Sequence, residues 1–129
     1  MKIFASPLIL AGALVLGAPA FADDDLPEGL DGWRLTGDVE TCVSIHRIDQ
    51  TDAIDDEHIL FEMKRGKTYL NRLSNRCFGL GRGDPFSYKT SSSRLCRGEI
   101  ITVFDSISEK GHCALGSFEL LEEIEDEEE

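Results

Sequence analysis

Three histidines, a run of carboxylates, a run of serines and four cysteines are the side chains of this 129-residue chain that could do chemistry. His46, His58 and His112 together would suit zinc or copper. They fall in three separate segments, without the H-x-H or H-x-x-x-H spacing that brings two imidazoles to one ion. Asp55-Asp56-Glu57 offers neighbouring carboxylates. Acid–base catalysis needs two carboxyls in different environments, one with a raised pKa. Three in a row ahead of a strand read as a hydrated turn. Ser91-Ser92-Ser93 has no G-x-S-x-G elbow around it and reads as a polar loop. The stretch R-C-F-G-L-G-R-G-D-P, Arg76 to Pro85, holds G-x-G-x-G. A dinucleotide site needs G-x-G-x-x-G between a strand and a helix. The Arg82-Gly83-Asp84 triplet is short enough to arise by chance. The expectation is therefore no catalytic residue, no metal and no cofactor. A small metal-dependent hydrolase is the competing class.

The cysteines carry a different chemistry. The first 22 residues read as a signal peptide: Lys2, an apolar run from Ile3 to Leu16, then Ala20-Phe21-Ala22 as a small-x-small cleavage site. The run is too short for a good membrane span, so no stable insertion is expected after cleavage. A periplasmic or secreted destination follows. There, Cys42, Cys77, Cys96 and Cys113 read as two disulfides. Their separations of 35, 19 and 17 residues do not match paired zinc ligands. Sequence leaves three pairings open. The favoured one is Cys77–Cys96 with Cys42–Cys113, which would close the glycine-rich loop and tie the first strand to the last.

The formal charge of −12 is unevenly spread. Asp23 to Asp31 holds five acids and no base, and Glu119 to Glu129 holds eight acids and no base. Between them, Gly32 to Phe118 carries twelve acids and twelve bases. Acidic ends steer cationic proteins, so a basic exported protein is the expected partner. Nucleic acid is not expected, because no basic run with interleaved aromatics exists. Calcium is not expected either, because no D-x-D-x-D-G loop organises the carboxylates.

The elements that must position these residues read as β. Val39 to Ile48 is a strand rich in β-branched residues. Asp49 to Glu57 reads as turn-like. His58 to Met63 and Lys67 to Leu73 form a hairpin around Lys64-Arg65-Gly66. Phe86 to Lys89 is a short strand, Glu99 to Phe104 a strong one, and Cys113 to Leu120 closes the sheet with Gly116 at a bulge or bend. Ile59 and Phe61 lie on one face of their strand and Leu60 on the other. Apolar residues on both faces point to a small, mainly β, disulfide-linked barrel or sandwich of about five to six strands. The organisation expected is a signal peptide at 1–22, an acidic lead-in at 23–38, one β-rich domain at 39–120 and an acidic, disordered tail at 121–129.

The blocks C-V-S-I-H-R-I, I-D-D-E-H-I-L-F, T-Y-L-N-R-L-S-N-R-C-F-G-L, L-C-R-G-E-I-I-T-V and C-A-L-G-S-F occur in that order from Cys42 to Phe118. In this order the chain resembles an uncharacterised family of short exported Gram-negative bacterial proteins of unknown function. Phe78 stands where the family often has proline, and Glu99 where it usually has aspartate. The resemblance implies an exported disulfide-bearing domain and no particular activity.

The expected function is a non-enzymatic binding or interaction module of the periplasm. Its alternative form is an inhibitor of a cationic exported enzyme, such as a lysozyme or protease. The candidate contact surface is Arg76, Phe78, Arg82, Phe86 and Tyr88, gathered around a glycine-rich loop held by cysteines. The arginines there could recognise an anion.

Overall fold

The computed structural model describes residue 12 and residues 26–124. The signal peptide and most of the acidic tail expected from the sequence lie outside the described residues. Ten strands form three antiparallel sheets among the described residues. β1 (Trp33–Glu40), β10 (Phe118–Glu123), β5 (Thr68–Arg72), β4 (His58–Met63) and β3 (Ile48–Asp55) make a five-stranded sheet in that order. β2 (Cys42–Ser44) pairs with β7 (Arg94–Cys96), and β8 (Ile100–Phe104) runs between β6 (Phe86–Tyr88) and β9 (Glu109–Ala114). Short 3-10 turns at Ile45–Arg47 and Leu80–Arg82 connect the pieces. The fold is sandwich-like and not a closed barrel: the large sheet has edges at β1 and β3.

The two-faced pattern of β4 explains the layering. Ile59 and Phe61 point into the main core, with Tyr69 from β5 and Phe118 from β10. Val43, Leu95, Ile101, Val103 and Leu115 face them from the smaller sheets and their connections. Phe61 and Tyr69 both meet the Phe118 ring edge-on, at centroid distances of 5.1 and 6.3 Å, a geometry that aligns ring edges with ring faces. On the other face, Leu60, Leu70 and Leu121 form a second cluster covered by Leu30, with Leu26, Trp33 and Leu35 packed against it.

The folded unit is therefore longer than the 39–120 expected. β1 begins at Trp33, Leu30 is buried, and β10 runs to Glu123. Two further expectations are corrected. The segment Val39 to Ile48 is not one strand: it contains the end of β1, all of β2 and a 3-10 turn. Most of the turn-like segment from Asp49 is β3, an edge strand whose polar side chains face solvent on one side.

The favoured disulfide pairing is also corrected. The bridges are Cys42–Cys96 and Cys77–Cys113. Cys42 and Cys96 are direct cross-strand partners in the β2–β7 ladder. Cys113 lies on β9, opposite Ile101, and faces the main core beside Cys77. Strand neighbourhood, not loop length, sets the pairs. Two disulfides suit an oxidising environment. Among the described residues no helix is long and apolar enough to cross a membrane.

Candidate functional site

The β3–β4 connection is the foundation of the site. Asp55 Oδ1 accepts the Glu57 amide at 2.8 Å and meets His58 Nδ1 at 2.8 Å. These bonds close a tight turn in the way short acidic side chains favour. Partial burial raises the Asp55 pKa, but the Glu57 amide and the His58 hydrogen bond and charge outweigh it and hold the carboxyl below 3.8. The neighbouring Asp56 reaches outward. Its Oδ1 accepts the Gly81 amide at 2.8 Å, its Oδ2 accepts Arg76 Nε at 3.3 Å, and its carbonyl accepts the Cys77 amide at 2.8 Å. The run of carboxylates thus anchors the glycine-rich loop.

That loop folds on itself. Gly79 has φ +99°, and its carbonyl accepts the amides of Arg82 and Asp84 at 3.1 and 3.0 Å. Leu80 is fully buried beneath it. Asp84 lies over Gly79, with Oδ2 3.7 Å from Arg82 Nη2. Among the described residues this Oδ2 is buried without a hydrogen-bond partner. Phe78 is 62% exposed, with the Arg76 guanidinium 5.2 Å from its ring centroid, within cation–π range. A cleft of about 440 Å³ opens between Asp56, Glu57, Arg76 and Arg82.

Three of the five expected contact residues, Arg76, Phe78 and Arg82, belong to this one surface. Phe86 and Tyr88 do not join it. Both lie on β6, where alternate side chains pack against the main core. Phe86 borders a hollow with Asp84 and Thr51. Tyr88 borders another with Thr102 and His112. The histidines are dispersed as well: His46 is in a 3-10 turn, His58 on β4 beside Asp55, and His112 on β9 beside Thr102 and Glu109. Among the described residues no group of three His, Cys, Asp or Glu side chains is placed to hold a metal ion.

A second concavity, of about 520 Å³, was not legible from sequence. Arg47, Lys64, Arg65, Lys67 and Arg94 line it, over Val43, Met63 and Tyr69. They come from three separated segments. The one local signal was the Lys64-Arg65-Gly66-Lys67 hairpin turn, in which every residue but the glycine is basic. Comparison with family models, with curated proteins and with solved structures found no match to this chain.

Proposed function

We propose that this chain is a non-enzymatic binding module of the periplasm that docks a cationic exported protein through the Phe78 surface. The observation that supports this best is the exposed Phe78 ring itself. It follows Cys77, which is bridged to Cys113, and it lies against the Arg76 guanidinium, which is tied to Asp56. A large aromatic held in place on a cross-linked loop loses little entropy on contact, which is what an interface anchor requires. Around it, Asp55, Asp56, Glu57 and Asp84 stand against Arg76 and Arg82. The surplus of carboxylates, and the acids at both ends of the sequence, favour a basic partner. The resemblance to short exported Gram-negative proteins agrees with the compartment.

The test uses the full mature chain and a panel of basic exported enzymes, including a lysozyme and a cationic serine protease. Binding is read by calorimetry at low and high salt, beside the partner's activity. Phe78→Ala is expected to weaken binding at least about tenfold, and Ile107→Ala, at a still more exposed residue elsewhere, to leave it unchanged. Loss of the partner's activity on binding would identify the inhibitor form. Equal affinity of Phe78→Ala and the unmodified chain would remove the reading. Periplasmic export is checked by fractionation and by mass spectrometry of the mature N-terminus, expected at Asp23.

A further inference from the structure

We propose that the cationic groove between the β4–β5 turn and the β2–β7 ladder binds a ligand carrying two phosphate groups. The chain has 25 acids and 13 Lys and Arg residues, yet five of those cations line this one groove. Glu40 is the single carboxylate among the lining residues. Arg34, Arg72, Arg76 and Arg82 each pair with a carboxylate. Arg47, Lys64, Arg65, Lys67 and Arg94 form no ion pair among the described residues. In so acidic a chain, unpaired cations gathered at one place repel one another, and an anion relieves that repulsion.

Two features shape the groove. Among the described residues Arg65 is the non-glycine residue with positive φ, at +79°. That conformation is unfavourable for an L side chain. It is held by three backbone bonds: Gly66 N–H to the Met63 carbonyl at 3.3 Å, Met63 N–H to Lys67 at 2.8 Å, and Lys64 N–H to Arg47 at 2.8 Å. The last fastens the turn to the β2–β3 connection, so Arg47 and Lys64 are set side by side. Tyr69 is the second feature. It lines the groove, is only 6% exposed, and its hydroxyl has no hydrogen-bond partner among the described residues. The hydroxyl is accessible from the groove, where it can donate to a ligand oxygen.

Charge matching sets the ligand class. Five cations against Glu40 and the nearby Asp38, both of which act on Tyr69, leave three positive charges. A phosphoryl group carries about −1.5 to −2 at neutral pH and three acceptor oxygens, so two of them match the groove. Arginine forks at Arg47 and Arg94 suit phosphate oxygens, with the lysines as point charges. The apolar floor of Val43 and Met63, beside the Cys42–Cys96 bridge, accommodates an organic body between or beyond the phosphates.

The probe is sodium pyrophosphate, titrated into the full chain at low salt by calorimetry, with citrate as a polycarboxylate control. Arg47→Gln and Arg94→Gln are exposed changes that leave the fold intact, and each is expected to weaken binding about tenfold. Tyr69→Phe is expected to weaken it severalfold. Lys110→Gln, on β9 outside the groove, is expected to change nothing. Co-sedimentation with phosphatidylcholine vesicles containing cardiolipin, reversed by pyrophosphate, would place the phosphates on a lipid headgroup. Pyrophosphate binding without sedimentation would place them on a soluble ligand. No heat at millimolar pyrophosphate, equal affinity for citrate, or an equal loss in Lys110→Gln would each overturn the proposal.

Discussion

The Gly81 amide donates to Asp56 Oδ1 at 2.8 Å, so a carboxylate in the β3–β4 turn holds a loop 25 residues further along the chain. The same side chain accepts Arg76 at 3.3 Å. Asp56→Ala removes both contacts and leaves the loop amide without a partner. The expected loss is about 1–3 kcal/mol in urea denaturation. Asp56→Asn keeps a carbonyl oxygen for Gly81 and forfeits only the charge on Arg76, so it is expected to lose less than half as much. Equal losses in the two variants would show that the ion pair, not the Gly81 bond, holds the loop.

Asn71 and Gly116 are joined twice: Asn71 Nδ2 donates to the Gly116 carbonyl at 2.8 Å, and the Gly116 amide donates to Asn71 Oδ1 at 2.7 Å. Asn71 is fully buried. This pair fixes the bend between β9 and β10, where a Cβ on residue 116 would overlap the Arg72 carbonyl oxygen. Asn71→Leu is close in size but abandons two part-buried backbone groups. A loss of about 2–4 kcal/mol is expected. Gly116→Ala should be at least as damaging, because the obstructing atom is backbone. Thermal unfolding of both variants checks this; a near-neutral Gly116→Ala would mean that the bend relaxes freely.

The bridges interleave, since the Cys42–Cys96 loop contains Cys77 but not Cys113. A peptide map without reduction should recover these pairs and neither of the alternatives. With sequence separations of 54 and 36 between partners, the chain-entropy relation gives about 4 kcal/mol for either bridge taken alone. Because the loops overlap, removing both should lose less than the sum. The Cys77→Ser/Cys113→Ser chain is expected to lose more of the Phe78 surface than the Cys42→Ser/Cys96→Ser chain, read as hydrogen exchange at residues 76–84.

Two carboxyls tie stability to acid. Asp55 is raised by partial burial, but the Glu57 amide and His58 outweigh this and leave it below 3.8. Asp105 is lowered by the amides of Ser108 and Ile107. A carboxyl depressed in the folded state contributes stability above its unfolded pKa and loses it as pH falls through the folded value. Stability should therefore hold near neutrality and decline below about pH 4. Asp55→Asn should be less stable than the parent at neutral pH and show a shallower acid decline. An unchanged acid slope would contradict the assignment.

The hairpin was legible because two short apolar runs flank the Lys64-Arg65-Gly66 turn, and β8 because Ile100 to Phe104 is β-branched and aromatic. β3 was not, because Asp49, Gln50 and Asp52 satisfy themselves in water on an edge strand and mimic a turn. The bridges depended on which strands pair, and β2 with β7 is a contact between residues more than fifty apart. Arg76, Phe78 and Arg82 could be grouped from the sequence because they are close along the chain. The cationic groove was not, because Arg47, the β4–β5 turn and Arg94 meet only after the sheets assemble.

Gly79 and Asp84 offer a way to separate backbone strain from crowding in the glycine-rich loop. At Gly79 the backbone has φ +99°, and a Cβ there would overlap Asp84 Oδ2. Gly79→Ala therefore carries two penalties: the left-handed conformation, roughly 1–2 kcal/mol, and the clash. Asp84→Ala alone removes a buried oxygen that has no hydrogen bond, together with its 3.7 Å approach to Arg82. It is expected to be mild. In the double variant the clash is gone and the conformational penalty remains. The cycle should thus show a favourable coupling of about 1 kcal/mol or more between the two changes, with the double variant more stable than Gly79→Ala by itself. Strict additivity would mean that the Asp84 side chain swings aside without loss, and that backbone conformation alone requires glycine at position 79.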